Sequence, residues 1–382
     1  MKFLLIPRVK VNYSFFDIIR ALLIGGNGSR KEECVKYITE FYNVKNVLLV
    51  PSARDAIYEL LIRLPQKKVV IPSYTCMVVN EAVELSHKEI VYAKTDANTY
   101  NSSYLDYIDE DCIVLATHQY GLPCNIVEIA EKCKKVGAVL IEDCATSLGT
   151  VVKGQLTGTF GDYAVISLNA SKTITVPPFG GILLGKDKDL LQNIDETAEW
   201  RDCNSLFKIK GLMKALAFVI IKNPFIYKLF HWYAIDRKDK LQRSEYAISV
   251  DEKTEFYKYR FTEWQAYFLL KQLKKINKII KKRQYVYSYY DSNVNNTLIK
   301  KPILNSDAVC TRYVIQVKGR YYFYKKCLSK GVDMDFSHCH IGAPLSFKEE
   351  HELSNTVLNL PFYYNISKRE MKKVVEVINS IK

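Results

Sequence analysis

Short apolar runs alternate with helical patterns along the first half of the chain, from about residue 32 to residue 184. The runs that predict strands are residues 47–50, 69–71, 90–92, 112–116, 138–141, 163–168 and 181–184. The patterns that predict helices between them are residues 55–64, 77–85 and 126–136. Strands and helices in alternation predict a mostly parallel sheet covered on both faces. Because ligands of such sheets bind beyond the carboxyl ends of the strands, the residues that end these runs are candidates for function.

Residues 190–245 break this alternation. Large apolar side chains recur there at roughly helical spacing, with Lys208, Lys210 and Lys214 among them, and an aromatic stretch follows at 225–233. The pattern predicts one or two basic amphipathic helices inserted in the large domain. We expect their apolar faces to be buried against the domain or a partner subunit, and weak contact with a membrane surface is the alternative.

The last third of the chain predicts a smaller α+β unit. It contains a long helical pattern, one strand and two further helices, at residues 262–289, 312–317, 321–330 and 367–381. A chain of 382 residues exceeds the size at which a single core stops growing. The sequence is therefore divided into a large domain, residues 1–250, and a small C-terminal domain, residues 251–382.

Composition narrows the classes of partner. The chain is 48% hydrophobic and 25% charged, close to the average for soluble globular proteins. Its formal net charge of +14 suits a phosphorylated small molecule, an anionic lipid or a nucleic acid. The basic residues are scattered along helical patterns without a DNA- or RNA-binding module, so nucleic acid is not expected as a partner.

Targeting and redox signals indicate a cytoplasmic protein. The apolar patch at residues 3–6 is short and no small-residue cleavage site follows it, while the apolar stretch at 215–221 is too short to span a bilayer. Ten cysteines without a CxxC pair are typical of reduced, intracellular usage. His338 and His340 flank Cys339, but this trio lacks the second ligand pair of a structural zinc site, so no metal is predicted.

Asp143 is the first candidate for chemistry. The buried run at 138–141 ends in Glu142 and Asp143, ahead of the small residues Cys144 and Ala145. A carboxylate at this position faces the ligand crevice and can stabilise a protonated ring nitrogen such as that of pyridoxal 5′-phosphate (PLP). The alternative role is an N-cap for the segment that follows.

Lys172 is the second candidate. It lies in SLNASKTITVPPFGG, residues 167–181, where a strand runs into an irregular loop that closes with Gly180 and Gly181. A lysine that is desolvated beside a cationic cofactor loses its proton readily and becomes a nucleophile toward an aldehyde. A solvated surface lysine is the alternative.

The turn PSARDA, residues 51–56, is the third candidate. Small residues between a strand and a helix leave the first backbone N–H groups of the helix free to meet a phosphate, which the helix dipole also favours. Ser52 as a simple N-cap is the alternative. The turn has no glycine, so it is not a P-loop for a nucleoside triphosphate.

The order of these motifs resembles the DegT/DnrJ/StrS family of PLP-dependent sugar aminotransferases. The motifs that match the family's SGTxAL, PSxT, HxYG, EDxA and SxxxxK are SARDAI at 52–57, PSYT at 72–75, HQYG at 118–121, EDCA at 142–145 and SLNASK at 167–172. YRFTE at 259–263 is similar to the family's NYRMTE. The resemblance runs from about Gly25 to the C-terminus, with the insertion as the exception.

The resemblance implies a fold, a cofactor and site residues. The fold is PLP-dependent transferase fold type I, as in aspartate aminotransferase, with a large mostly parallel sheet domain and a small α+β C-terminal domain. Lys172 would form the Schiff base with PLP, and Asp143 would pair with the pyridine nitrogen. Ser167 would hold the phosphate beside the backbone of Ala53 and Arg54. Members of the family are usually homodimers.

Three positions depart from the family's pattern. Cys76 stands where the family often has an aromatic residue that stacks on the cofactor ring, and Tyr74 is a candidate to supply that ring face instead. Lys258 stands where an asparagine reaches in from the neighbouring subunit, and its charge can still meet a phosphate. Thr146 stands where the family often has glutamine or histidine.

The implied reaction moves an amino group, with glutamate as the expected donor, to the keto carbon of a nucleotide-linked sugar for surface polysaccharide or secondary-metabolite sugars. Lys172 would move the protons as general acid and base. One alternative is a PLP-dependent sugar dehydratase, but the family's dehydratases have histidine in place of this lysine. The other is a catalytically silent relative that binds ligand, which the departures at Cys76 and Lys258 suggest.

Overall fold

The structure is a computed structural model that describes residues 4–235, 259–303, 307–336 and 341–382. The strands of its main sheet are β1 (Asn46–Val50), β2 (Lys68–Pro72), β3 (Glu89–Ala93), β4 (Cys112–Thr117), β5 (Val139–Asp143), β8 (Tyr163–Ser167) and β9 (Gly181–Gly185). A short hairpin of β6 (Val151–Val152) and β7 (Gln155–Leu156) lies between β5 and β8 in the chain. Each of the predicted strands of the first half is present, with its ends shifted by at most two residues.

The main sheet has the strand order β1-β9-β8-β5-β4-β2-β3. β9 is antiparallel to both of its neighbours, and the other neighbouring pairs are parallel. The predicted mostly parallel sheet is therefore confirmed. The order also brings the carboxyl ends of β4, β5 and β8 together at one edge, where a ligand of such a sheet binds.

Different helices cover the two faces of the main sheet. The helices of the described residues are α1 (Phe15–Leu22), α2 (Arg30–Tyr42), α3 (Ala53–Arg63), α4 (Met77–Leu85), α5 (Ile126–Val136), α6 (Lys188–Thr197), α7 (Ser205–Ile220), α8 (Pro224–Phe230), α9 (Glu263–Leu273), α10 (Ile276–Asn293), α11 (Arg320–Ser329), α12 (Lys348–Ser354) and α13 (Lys368–Asn379). Side chains alternate between faces along a strand. Ile113 and Leu115 thus pack with α3, α4 and α6, whereas Val114 packs with α5. Ala164 and Ile166 pack with α2, α7 and α9.

A second sheet lies in the C-terminal part of the chain. Its strands are β10 (Ile299–Lys300), β11 (Val314–Val317) and β12 (Val357–Asn359), which pair antiparallel in that order. This sheet shares a core with α10, α11 and α13 that is separate from the clusters around the main sheet. The long helical pattern predicted at 262–289 forms two helices, α9 and α10, because the helix is interrupted at Lys274 and Lys275. The domain boundary at residue 250 stays a prediction, since residues 236–258 lie outside the described ranges.

The insertion contains α6, α7 and α8, and one side of α7 is buried. Phe207, Leu212 and Ala215 of α7 join the core beneath the main sheet. In the described ranges, no helix combines the length and the apolar character that crossing a bilayer requires. The amphipathic pattern predicted for this segment is therefore present, with one apolar side covered by the domain.

A buried carboxylate, Asp333, connects the end of the insertion to the segment that follows α11. The hydroxyl of Tyr227 in α8 donates to Asp333 Oδ2 at 2.5 Å, and His231 Nε2 lies 3.4 Å from Asp333 Oδ1. Arg8, near the start of the chain, donates through Nε to Asp333 Oδ2 at 2.6 Å. The ion pair with Arg8 and the bond from His231 hold the pKa of Asp333 below its usual value although burial opposes this. Three distant segments of the chain are joined at this point.

Candidate active site

Asp143 ends β5 at the centre of the edge where the parallel strands terminate. The neighbouring strand β4 ends opposite it at Thr117, whose Oγ1 lies 3.5 Å from Asp143 Oδ2. Asp143 Oδ1 accepts the N–H of Ala145 at 2.9 Å, and the residues after it form a turn, not a helix. Burial raises the pKa of Asp143, while the N–H of Ala145 and the charge of Lys172 oppose the rise. Asp143 is therefore at the predicted crevice and is not a helix cap.

Lys172 lies in the irregular loop that follows β8, partly buried. Burial lowers the pKa of Lys172, and the positive charge of Arg312 lowers it further. Asp143 and Cys76 act on that pKa in the opposite direction. A lysine with a lowered pKa has a larger neutral fraction than a solvated lysine, so its amine is a better nucleophile. Lys172 thus follows the strand that pairs with β5, and the charge of Asp143 at the end of β5 acts on its amine.

The start of α3 and the end of β8 form a second part of the site. Ser52 caps α3: its Oγ accepts the N–H of Asp55 at 3.2 Å and donates to Asp55 Oδ2 at 2.6 Å. The backbone N–H groups of the first turn, which begins at Ala53, have no partner within the helix. Gly181 lies between this turn and Ser167, its partner in β8. A Cβ at Gly181 would lie 2.7 Å from the Ala53 nitrogen, so only glycine lets the two elements approach this closely.

Three other predicted site residues use their side chains elsewhere or lie outside the described ranges. The guanidinium of Arg54 pairs with Glu81 at 2.9 Å, so its backbone is the part near the start of α3. Thr146 Oγ1 donates to the carbonyl oxygen of His118 at 2.6 Å. Lys258 lies outside the described residues, as do residues 338–340, the trio considered for a metal.

Tyr74, considered as a substitute for the stacking aromatic residue, is buried inside the fold. Its hydroxyl lies 2.7 Å from the hydroxyl of Tyr120, and neither ring is exposed. Cys76 is partly exposed and caps the start of α4. Of these two positions, Cys76 is the one that acts on the pKa of Lys172, which it raises.

A buried network supports the strand that carries Asp143. Glu142 is fully buried beside His118, whose Nε2 lies 3.2 Å from Glu142 Oε2. The Glu142 carboxylate also accepts three backbone N–H groups of the loop before β8, those of Gly158, Phe160 and Gly161, at 2.7–2.8 Å. Cys144 completes a group of potential metal ligands whose ligand atoms lie within 4.8 Å of one another. Because backbone donors occupy the carboxylate, we interpret this group as a hydrogen-bonded support for the loop.

None of the family's motifs contains Arg312. It comes from the segment before β11, pairs with Asp335 and lowers the pKa of Lys172. A second arginine, Arg283 of α10, donates to the carbonyl oxygen of Lys172 at 3.1 Å. Arg312 precedes a strand and Arg283 lies on a helix. Neither residue belongs to a motif that contains Lys172, so the sequence near Lys172 does not connect it to either arginine.

The residues of this site fit PLP. Lys172 offers an amine for the aldehyde, Asp143 offers a carboxylate for the ring nitrogen, and the first turn of α3 offers backbone N–H groups next to Gly181, the partner of Ser167, for the phosphate. With the strand order of the main sheet, they define PLP-dependent transferase fold type I, the architecture of aspartate aminotransferase. The chain belongs to the DegT/DnrJ/EryC1/StrS aminotransferase family, whose model matches residues 23–379. The family, the fold and the cofactor predicted from the motifs are confirmed.

Named relatives match parts or most of the chain. The chain is similar to GDP-perosamine synthase of Escherichia coli O157:H7, with 31% identity over 127 residues, 32% of this chain and 35% of that protein. It is similar to the dTDP-3-amino-3,6-dideoxy-alpha-D-galactopyranose transaminase of Aneurinibacillus thermoaerophilus, with 22% identity over 372 residues, 92% of this chain and 90% of that protein. The match to GDP-perosamine synthase of Vibrio cholerae, at 29% identity, spans 45% of this chain and 48% of that protein, so it covers about half of that relative's length.

Solved structures share the fold over nearly the whole chain. PseC of Helicobacter pylori, described as an aminotransferase involved in the biosynthesis of pseudoaminic acid, aligns with a TM-score of 0.74 at 16% identity, covering 98% of both chains. The sugar aminotransferase Spr1654 of Streptococcus pneumoniae aligns with a TM-score of 0.73 at 17% identity, also covering 98% of both chains.

Proposed function

We propose that this chain is a PLP-dependent aminotransferase that moves an amino group, with glutamate as the expected donor, to the keto carbon of a nucleotide-linked sugar. The observation that carries the proposal is the placement of Asp143 at the end of β5 and of Lys172 in the loop after β8, the strand that pairs with β5, at one edge of the main sheet. Relatives named for GDP-, dTDP- and UDP-linked sugars support a nucleotide-linked acceptor. Another is named as a lipopolysaccharide biosynthesis protein, which supports a role in surface polysaccharide.

Different residues bind the phosphate and the ring of PLP. When bound, PLP supplies an aldehyde and a ring that accepts electrons. Asp143 holds the proton on the ring nitrogen, and that positive charge favours the ionised carboxylate against the effect of burial. The hydroxyl of Ser167 and the backbone N–H groups of Ala53 and Arg54 bind the phosphate at the start of α3.

Lys172 performs the proton transfers. Its lowered pKa makes Nζ available as a neutral amine, which would hold the aldehyde of PLP and would serve as general base and general acid once it is free. The positive charge of Arg312 lowers the pKa of Lys172 and so favours the neutral amine. Asp335 holds the Arg312 guanidinium in place.

Two rival functions differ from this proposal in measurable ways. A dehydratase of the family would carry histidine at position 172, and this chain has lysine there. A catalytically silent relative would bind PLP without turning over an amino donor. Cys76 and Lys258, which depart from the family's pattern, are the features that favour the silent alternative.

The test follows the visible absorbance of the PLP-loaded protein. Glutamate should remove that absorbance, and a panel of GDP-, dTDP- and UDP-linked keto sugars should restore it with the matching acceptor. Lys172→Ala should abolish both the absorbance and turnover, whereas Lys188→Ala, an exposed lysine at the start of α6, should leave both unchanged. Absorbance that does not respond to glutamate would establish the silent alternative, and normal turnover by Lys172→Ala would exclude the proposed role of this lysine.

We further propose a homodimer that works in the cytoplasm. The family's pattern supports a site shared between subunits, because the asparagine that the family has at the position of Lys258 comes from the neighbouring subunit. The cysteines of the described residues are free, which supports a reducing compartment. Light scattering of the purified protein tests the assembly, and a stable monomer with full activity would contradict it.

A further inference from the structure

The helix α7 has two apolar sides, and the described residues cover one of them. Phe207 and Leu212 are buried beneath the main sheet. Leu206, Ile209 and Met213, spaced three and four residues apart, are 58%, 50% and 65% exposed. That spacing places them in a single stripe along the helix, opposite the buried side. Packing within the described residues therefore accounts for the apolar side chains on one side of α7. It does not account for the exposed apolar side chains on the other side.

The neighbouring helices repeat the pattern. In α8 and the turn that follows it, Tyr227 and His231 are buried, whereas Leu229 and Trp232 are 54% and 68% exposed. In α1 and its C-cap, Phe16 and Leu23 are 72% and 83% exposed, and Ala21 on the other side is buried. More than half of the large apolar side chains that the described residues expose belong to these two short segments, 15–23 and 206–233.

These helices are adjacent, so their exposed sides form one region. Lys208, at the start of α7, donates to the carbonyl oxygens of Leu22 and Ile24 at the end of α1, at 3.0 and 2.6 Å. Lys222, after the end of α7, donates to the carbonyl oxygen of Tyr13 before α1. The two helices therefore run antiparallel, and α8 begins directly after Lys222. We name the exposed apolar side chains of α1, α7 and α8, with Trp232 and Tyr233, the outer helical face.

The charge around the outer helical face has one sign. Residues 203–235 contain five lysines and no acidic residue. The acidic residue of α1, Asp17, is buried and is bonded to Ser14 and Lys271. An occupant that matches the described residues of this face is therefore apolar and negatively charged.

We propose that the outer helical face docks on the surface of an anionic lipid bilayer, with α7 and α8 lying in the interface. Helices that bind this way have lysines beside an apolar side that carries Leu, Phe and Trp, and Trp and Tyr favour the headgroup level. A second copy of the chain fits less well, because each copy would bring the exposed lysines of these helices, Lys210, Lys214 and Lys228, against those of the other. The proposal goes beyond the aminotransferase activity and does not depend on it.

Flotation of the full-length, PLP-loaded protein with vesicles tests this docking. The protein should float with vesicles of phosphatidylcholine and phosphatidylglycerol at low salt, and less with phosphatidylcholine alone. The double variant Met213→Glu, Leu229→Glu adds two negative charges at the face. Because each charge near an anionic surface changes binding about fivefold, binding should fall at least about 25-fold. Leu298→Glu, 50% exposed outside these helices, is the matched control and should bind as the unchanged protein does.

Other outcomes would overturn the proposal. They are absence of flotation with the anionic vesicles, equal flotation of the double variant, or an equal loss in Leu298→Glu. Light scattering without lipid gives the independent check: a dimer that the double variant converts to monomer would assign the face to a second copy. Unchanged thermal unfolding and unchanged turnover of soluble substrate by the double variant show that loss of flotation is not loss of folding.

Discussion

Gly181 is the position where one added methyl group should separate the two parts of the proposed phosphate site. In β9 it pairs with Val50 and with Ser167. A Cβ there would lie 2.7 Å from the Ala53 nitrogen and 2.7 Å from the carbonyl carbon of Ser52. Both are backbone atoms and cannot rotate away as a side chain can. In Gly181→Ala the start of α3 must therefore move away from β9.

The size of the effect follows from these contacts. Overpacking of this kind costs about 1–3 kcal/mol, which lowers the Tm of a chain of this length by about 1–4 °C. The displaced helix also loses a charge-assisted hydrogen bond to the phosphate, worth about 1.5–3 kcal/mol. That loss weakens PLP binding about ten- to hundredfold. The expected signature is a large change in PLP affinity with a small change in Tm.

The assay is a titration of the apoprotein with PLP, followed by visible absorbance, together with thermal unfolding of the apoprotein. Gly25→Ala is the control, because no atom lies within 4 Å of a Cβ added at Gly25. If Gly181→Ala lowers the Tm but binds PLP within about twofold of the unchanged protein, the phosphate is not held at the start of α3. That result would refute the cradle formed by Ser167, Ala53 and Arg54.

Two further predictions concern the supports of the site. Arg312→Gln removes a positive charge that lowers the pKa of Lys172, so that pKa should rise. Since the neutral amine captures PLP, the rate of PLP capture by the apoprotein should need a higher pH, and an unshifted pH profile would show that Arg312 does not act on Lys172. Glu142→Gln puts an amide against three backbone N–H donors and His118, and breaking a buried charged arrangement of this kind costs about 3–5 kcal/mol. Urea unfolding should show that loss in the free energy of unfolding. The control Glu128→Gln, on the exposed side of α5, should change the free energy of unfolding by no more than about 0.5 kcal/mol. Equal stability of the two variants would contradict the support role of Glu142.

The local pattern of the sequence determined most of the main sheet. A buried parallel strand appears as a continuous apolar run and its crossover helix as a periodic one, so both are visible without tertiary information. Lys172 and Asp143 could be found for the same reason: each follows such a run, within a motif of fixed order. The α1 helix was missed because it is short and is followed by glycines, which weaken a periodic signal.

Only the tertiary structure decided what stands beside those residues. The pairing of β8 with β5 and of Gly181 with Ser167 depends on strand order, which local periodicity does not contain. Arg312 acts on Lys172 from a segment far along the chain. Because charges interact through space, the sequence around Lys172 contains no sign of this effect. Likewise the spacing of α7 indicates two apolar sides, but burial depends on what packs against each side, so only the folded chain shows which one stays exposed.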